Sequence, residues 1–237
     1  MKVLVIIPAY NEEENILNTC NEIKKIKLKE HKVDYVVIND ASKDNTKKVC
    51  INNELNLIDL PCNLGIGGAV QTGYKYAYIN DYDVAIQFDG DGQHNASYIK
   101  DLVEEIANGN DLVIGSRYIS DLNTFRSTAM RRVGSNILRW LIKLCSNIEV
   151  SDPTSGFRAC SKRVIEEFAK DYPIDYPEPE TVAIIAKKGY KVKDIPVEMN
   201  ERQGGTSSIN ALKSVYYMIK VGLAIIFAGL FTKGDVK

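Results

Sequence analysis

Two aspartates one residue apart, Asp89 and Asp91, stand in the run Phe88-Asp89-Gly90-Asp91-Gly92-Gln93-His94. They follow Val84-Ala85-Ile86-Gln87-Phe88, an apolar run of strand length bounded by turn residues. A carboxylate pair at the point where a strand becomes a loop suits a hard divalent ion. Such an ion keeps part of its hydration and takes substrate phosphates as further ligands. Gly90 and Gly92 keep the loop backbone accessible. The same letters also spell an ordinary Asp-Gly turn, so the pair gains meaning only from what the chain places beside it.

Three further stretches can contribute to a nucleotide site. In Pro8-Ala9-Tyr10-Asn11-Glu12, Tyr10 can stack on a nucleoside and Glu12 can accept from a ribose hydroxyl. The same stretch also reads as a helix entry, with Asn11 as cap and Glu12 as a first-turn acid. Asp40 can accept from a base N–H, or belong to the turn Asp40-Ala41-Ser42-Lys43-Asp44-Asn45. Gly65-Ile66-Gly67-Gly68 can donate to an anion at a helix start. It does not spell the dinucleotide fingerprint GxGxxG, and the chain carries no P-loop.

The elements that must position these residues alternate between strand and helix. Strands are expected over Val3–Ile7, Tyr35–Ile38, Leu57–Asp59, Val84–Phe88 and Leu112–Ile114. Between them, Ile16, Cys20, Ile23 and Ile26 follow helical spacing. Ser42 or Asp44 caps a short helix through Val49, and further helices run over Gly67–Tyr78 and Tyr98–Ala107. This order predicts an α/β fold with a mostly parallel, Rossmann-like sheet and helices on both faces. Ligands in such sheets lie at the carboxyl ends of strands, where Tyr10, Asp40 and Asp89–Asp91 all fall. The second half is less regular. Helices are expected over Met130–Leu144, Val164–Ala169, Thr181–Lys188 and Ile209–Phe231, and a strand over Tyr190–Glu198. Asp152–Arg158 reads as a loop, and Asp171–Pro179 as an irregular, proline-rich surface loop.

A chain of 237 residues with 45% hydrophobic and 26% charged residues is long enough for one full core. The net charge of -1 gives no basic excess for nucleic acid. Five cysteines without CxxC spacing argue against a disulfide framework or a zinc site, and for a reducing cytoplasm. The apolar run ending at Pro8 is too short for a signal peptide. Val221–Phe231 is almost wholly apolar but shorter than the roughly 20 residues of a spanning helix. With Lys213 and Lys220 ahead of it, this segment suits an interfacial helix on a membrane surface. Packing on the domain or on a partner subunit is the other reading.

Seven motifs in order resemble the family 2 glycosyltransferases of the GT-A fold, in particular the dolichyl- or polyprenyl-phosphate mannosyl- and glucosyltransferases. They are Pro8-Ala9-Tyr10-Asn11-Glu12, Asn39-Asp40-Ala41-Ser42-Lys43-Asp44-Asn45-Thr46, Asn63-Leu64-Gly65, Asp89-Gly90-Asp91-Gly92-Gln93-His94, Gly115-Ser116-Arg117, Asp152-Pro153-Thr154-Ser155-Gly156-Phe157-Arg158 and Arg202-Gln203-Gly204-Gly205-Thr206-Ser207-Ser208. The resemblance implies a GT-A domain over residues 1–208, and the apolar segment beyond it is expected as a C-terminal amphipathic, membrane-interfacial helix over 209–237. It implies that Pro8, Tyr10, Glu12 and Asp40 hold the nucleoside, and that Asp89, Asp91 and Gln93 hold Mg²⁺ or Mn²⁺ on the diphosphate. Arg117 and Arg131 would face phosphate oxygens, and Arg202 and Ser208 would close over the donor. Asp91, Arg117 and Glu178 would carry the catalysis.

The implied reaction is inverting, metal-dependent transfer of a hexose from a nucleoside-diphosphate sugar to polyprenyl phosphate. In the alternative, the acceptor is a hydroxyl of a lipid-linked, cell-surface saccharide and Glu178 or Glu180 is the base. Ahead of a helix, the same two acids also read as first-turn residues stabilised by its dipole. A non-catalytic sugar-nucleotide-binding or scaffold protein is the reading from another class. The implied location is cytoplasmic, peripheral on the inner face of the cell membrane, with a membrane partner subunit or a second copy as possible partners. The family usually shows two acids where Asn39-Asp40 stands here, and the transmembrane helices of some relatives are absent.

Overall fold

The computed structural model describes residues 1–119, 129–199 and 211–232, the side chains of 129–131 and 211–215 excepted. Its strands are β1 (Lys2–Ala9), β2 (Lys32–Asn39), β3 (Leu57–Asp59), β4 (Val84–Gln87), β5 (Leu112–Ser116), β6 (Arg158–Ser161) and β7 (Val192–Pro196). They form one sheet in the order β3-β2-β1-β4-β6-β5-β7. The helices are α1 (Ile16–Lys24), α2 (Thr46–Asn52), α3 (Gly65–Ile79), α4 (Ile99–Ala107), α5 (Ala129–Ser146), α6 (Lys162–Lys170), α7 (Pro177–Lys187) and α8 (Ala211–Phe231).

The central strands are buried on both faces, as the unbroken run Val3–Ile7 requires. One apolar layer joins Leu4, Ile6 and Ile38 to Val70 and Tyr74 of α3, and to Val164, Val182 and Ile225. The other joins Val5, Ile7, Val37 and Ile86 to Ile16 and Cys20 of α1 and to Leu102 and Val103 of α4. The expected mostly parallel sheet with helices on both faces is therefore present.

Four local expectations are corrected. β6 lies antiparallel between β4 and β5, where a loop was expected through Arg158. Four residues carry too little periodicity to announce a strand. Asn11 does not cap α1, which begins at Ile16. It adopts φ 59°, and its Oδ1 accepts from the Lys43 N–H at 2.8 Å. Neither residue offered as a cap stands at the start of α2, whose N-cap is Asn45 with no side-chain capping bond, although Asp44 just before it accepts from the Thr46 N–H at 2.9 Å. Finally, Pro177 and Pro179 are not in a surface loop. They are buried in the first turn of α7, where proline's missing N–H costs no helical hydrogen bond. Glu178 and Glu180 thus sit at the start of a helix, not ahead of one.

Close approach fixes where α7 begins. The Gly67 N–H in α3 donates to the Ile174 carbonyl at 3.1 Å. A Cβ at Gly67 would stand 2.2 Å from the Pro173 oxygen and 2.3 Å from that of Ile174.

α5 and α8 pack together with one face of α8 inward through Val221, Ile225 and Ala228. The outward faces remain apolar. Val133, Ile137, Trp140 and Leu144 form an exposed helical stripe on α5, and Ile219, Leu223, Phe227 and Leu230 are exposed on α8. No helix among the described residues is long and apolar enough to cross a membrane.

Gly67→Ala is expected to cost about 1–3 kcal/mol, because backbone oxygens cannot swing away from the new methyl group. Urea denaturation measures this. A midpoint equal to that of the parent protein would contradict the packing described.

Candidate active site

The carboxyl ends of β1 and β2 open into a cleft of about 940 Å³ lined by Pro8, Tyr10, Glu12, Asp40, Asn63 and Ile66, among others. That volume falls in the range of small-molecule sites. Local hydrogen bonds set its walls. The Glu12 N–H donates to Thr46 Oγ1 at 2.8 Å, and Glu12 Oε2 accepts from Asn15 at 3.0 Å. Asp40, nearly fully buried, accepts from the Leu64 N–H at 2.6 Å, and Asn63 donates to the Asp40 carbonyl at 3.0 Å. Tyr10 is 43% exposed, so its ring is accessible for stacking.

The aspartate loop after β4 meets this cleft through Gly90. A Cβ there would lie 3.2 Å from the Pro8 carbonyl and 3.6 Å from Glu12 Cγ. The Gly90 carbonyl accepts from Thr19 Oγ1 of α1 at 3.3 Å. Asp91 Oδ1 accepts from the Gln93 N–H at 3.1 Å, which folds the loop back on itself. Among the described residues no group of three His, Cys, Asp or Glu side chains is arranged to hold a metal ion. The donors present are two carboxylates and one amide oxygen. That is a hard, oxygen-only set, and it fits Mg²⁺ or Mn²⁺ better than zinc.

Asp89 is held from several sides. Burial disfavours its charge, but His94 at 3.2 Å, the Gln87 amide and the nearby Arg117 outweigh it and hold the carboxyl below the ordinary aspartate range. Gly156 makes room for it, since a Cβ there would stand 2.8 Å from Asp89 Oδ2.

Arg117, just past the end of β5, does not offer its whole fork to a ligand. Its Nε and Nη2 donate to Asp152 Oδ2 and Oδ1 at 2.6 and 2.8 Å, and Nη2 also reaches Thr154 Oγ1 at 2.9 Å. Burial opposes the guanidinium charge, yet the buried Asp152 and the field of Asp89 raise its pKa further. Arg117 therefore stands beside the aspartate loop with its orientation set by Asp152.

Glu178 reaches the same region from α7. Gln87 Nε2 donates to its Oε1 at 3.3 Å, so one amide lies between Glu178 and Asp89. Burial pushes the Glu178 carboxyl above the usual range against the pull of Arg158, and Asp89 adds to the rise. Arg158 is fully buried and donates to the carbonyls of Ser155 (2.6 Å) and Glu178 (3.2 Å) and to Thr181 Oγ1 (3.1 Å). Glu180 points away from this cluster, toward Asp171 and Lys220.

The structure thus gathers Pro8, Tyr10, Glu12, Asp40, Asp89, Asp91, Gln93, Arg117 and Glu178 around one rim. Arg202, Ser208 and the side chain of Arg131 lie outside the described residues. Sequence reasoning missed Gln87, His94, Asp152 and Arg158 as parts of the site. His94, Asp152 and Arg158 stand inside the quoted motifs, so their positions were visible. The direction of their side chains was not.

The profile of Glycosyl transferase family 2 matches residues 4–168. The UDP-N-acetylglucosamine–dolichyl-phosphate N-acetylglucosaminyltransferase of Methanococcus voltae is 33% identical over 218 residues, covering 83% of this chain and 84% of that protein. The undecaprenyl-phosphate mannosyltransferase of Micrococcus luteus is 25% identical over 244 residues, covering 97% and 98%. Among solved structures, glucosyl-3-phosphoglycerate synthase of Mycobacterium tuberculosis with Mn²⁺, UDP-glucose and phosphoglyceric acid superposes with a TM-score of 0.70. It is 16% identical and covers 96% of this chain and 79% of that one. The shared fold is the GT-A fold.

Because its folded pKa is raised, Glu178 binds its proton more tightly in the native state than in the unfolded chain. Stability must therefore fall as pH climbs from the ordinary glutamate range to the raised value, then level off. Glu178→Gln removes that slope. Its stability relative to the parent should grow with pH across this window in urea titrations. A difference that stays constant with pH would show that the carboxyl is not shifted.

Proposed function

The chain belongs to glycosyl transferase family 2, and we propose that it moves a hexose, with inversion, from a nucleoside-diphosphate sugar to polyprenyl phosphate at a membrane surface. The observation that carries this reading is Gly90, which sets the Asp89–Asp91 loop directly against Pro8 and Glu12 of the nucleotide-sized cleft. A donor seated there has its base near Tyr10 and Asp40, its ribose near Glu12 and its diphosphate at the aspartates. Asp89, Asp91 and Gln93 would hold Mg²⁺ or Mn²⁺. When bound, the ion offsets charge on the leaving diphosphate.

The remaining chemistry follows from charge. A phosphate oxygen of the acceptor forms a bond to the anomeric carbon. The bond from that carbon to the diphosphate oxygen breaks, and its electron pair leaves with the nucleoside diphosphate. Arg117, oriented by Asp152, places positive charge where negative charge grows in the transition state. A phosphate monoester has its second pKa near ~6 and is largely dianionic at neutral pH, so no base has to remove a proton. Relatives named for dolichyl- and undecaprenyl-phosphate acceptors support this acceptor class. Arg131, Arg202 and Ser208 are proposed as further contacts to the donor phosphates.

One observation favours a second acceptor. Glu178 is one amide away from Asp89 and could take the proton of an attacking sugar hydroxyl once ionised. The two readings give products of different mass. Nucleotide sugars, Mn²⁺ and short-chain polyprenyl phosphate should yield polyprenyl-phosphate sugar, and Asp91→Ala should lower the rate by on the order of 10²–10³-fold. Glycosylation of a saccharide hydroxyl alone would select the second reading. Full activity in Asp91→Ala would remove the cation-centred one.

The apolar faces of α5 and α8 are proposed to lie on the bilayer, where a polyprenyl acceptor resides. Trp140 is the chain's single tryptophan and stands 62% exposed in that face. Its emission should shift to the blue on adding anionic phospholipid vesicles, with the protein sedimenting alongside them. Unchanged emission with the protein left in the supernatant would refute this placement.

A further inference from the structure

We propose that His94 is a positioning residue for the cation site, its Nε2–H fixing the Asp89 carboxylate in the orientation that receives the divalent ion. This rests on the proposed role of Asp89 and extends it to a residue that ligates nothing itself. His94 Nε2 lies 3.2 Å from Asp89 Oδ2. Its Nδ1 is buried and has no hydrogen-bond partner. A neutral imidazole carries one proton, and only on Nε2 does that proton meet an acceptor.

The ring has little freedom to turn elsewhere. It stacks on Phe157 at 4.9 Å and 28° and meets the edge of Phe88 at 5.3 Å. Its side chain is 2% exposed. The backbone of His94 is also bridged to Met199, beyond β7. Gly156 packs against the same carboxylate, where a Cβ would stand 2.8 Å from Oδ2 and 3.1 Å from Oδ1, and the amide of Gln87 bonds to it as well. A carboxylate clamped this way loses little orientational freedom when an ion binds, and partners of ligating groups typically govern affinity by 10–100-fold.

A purely structural role is the competing account, because the ring also fills space between two phenylalanines. Two substitutions separate them. His94→Phe keeps a ring against Phe157 but deletes the donor. His94→Gln loses the ring but places an amide nitrogen the same number of bonds from Cα. Binding of Mn²⁺ alone to the full chain can be followed by the electron paramagnetic resonance of the free ion. His94→Phe should weaken it by about 10–100-fold, and His94→Gln should restore most of the loss. Parental affinity in His94→Phe, or equal weakening in both variants, would overturn the proposal.

If His94→Phe does not fold, the parent protein supplies the decisive measurement. It contains only two histidines, His31 and His94, so nitrogen-15 NMR of labelled imidazoles resolves the tautomer. The Nε2–H form of His94, perturbed by Mg²⁺ while His31 stays fixed, is expected. An Nδ1–H form would sink the idea. A parent protein that binds no Mn²⁺ would instead count against the cation reading of Asp89, and the tautomer would still report on the His94–Asp89 pairing.

Discussion

The second half of the site depends on one buried guanidinium. Arg158 is completely enclosed, yet among the described residues no carboxylate lies within ion-pair distance of it. Carbonyls and a hydroxyl surround it instead: Pro153 and Ser155 from the turn before β6, and Glu178 and Thr181 from the first turn of α7. A buried charge is tolerable only when its donors are satisfied. The carbonyl-lined shell therefore ties the turn and the helix to one another as firmly as it holds the cation. Gly156 and Glu178, which border Asp89 from different directions, are both attached to that shell.

Two kinds of support meet at this rim. One wall is built from strand ends, where β1 and β2 end together at Ala9 and Asn39 while β4 ends earlier, at Gln87 opposite Ile6. The other wall is built from polar side chains packed inside the fold. Arg117 is fixed by Asp152, Glu178 by Gln87, and Asp89 by His94. The first kind is generic to open α/β sheets. The second kind rests on long-range side-chain pairings that fix how these polar groups are oriented.

This division explains what could be read from the letters. The run Val3–Ile7, the helical spacing of Ile16, Cys20 and Ile23, and the brief strand Leu57–Asp59 all appeared where expected, because periodicity reports burial directly. Tyr10, Asp40 and Asp89 were legible for the same reason, as residues at strand ends. β6 was hidden because Arg158-Ala159-Cys160-Ser161 begins with a charge and is short. The helix from Thr181 was legible, but the first turn of α7 was hidden because Pro177 and Pro179 read as breakers, although proline belongs naturally in a first helical turn. Gln87 looked like one polar letter in an apolar strand. Its place opposite Arg158 comes from the β4–β6 ladder, a long-range pairing no local pattern contains.

The strand order has a consequence for biosynthesis. β5 bonds only to β6 and β7, both of which follow it in the chain. While the N-terminal strands can already zip together as they emerge from the ribosome, Leu112–Ser116 must wait with both edges bare until later residues are translated. Unpaired apolar edges invite pairing with other chains. The interval between synthesis of β5 and arrival of β6 is therefore when a nascent molecule is most exposed to aggregation and most in need of chaperone cover.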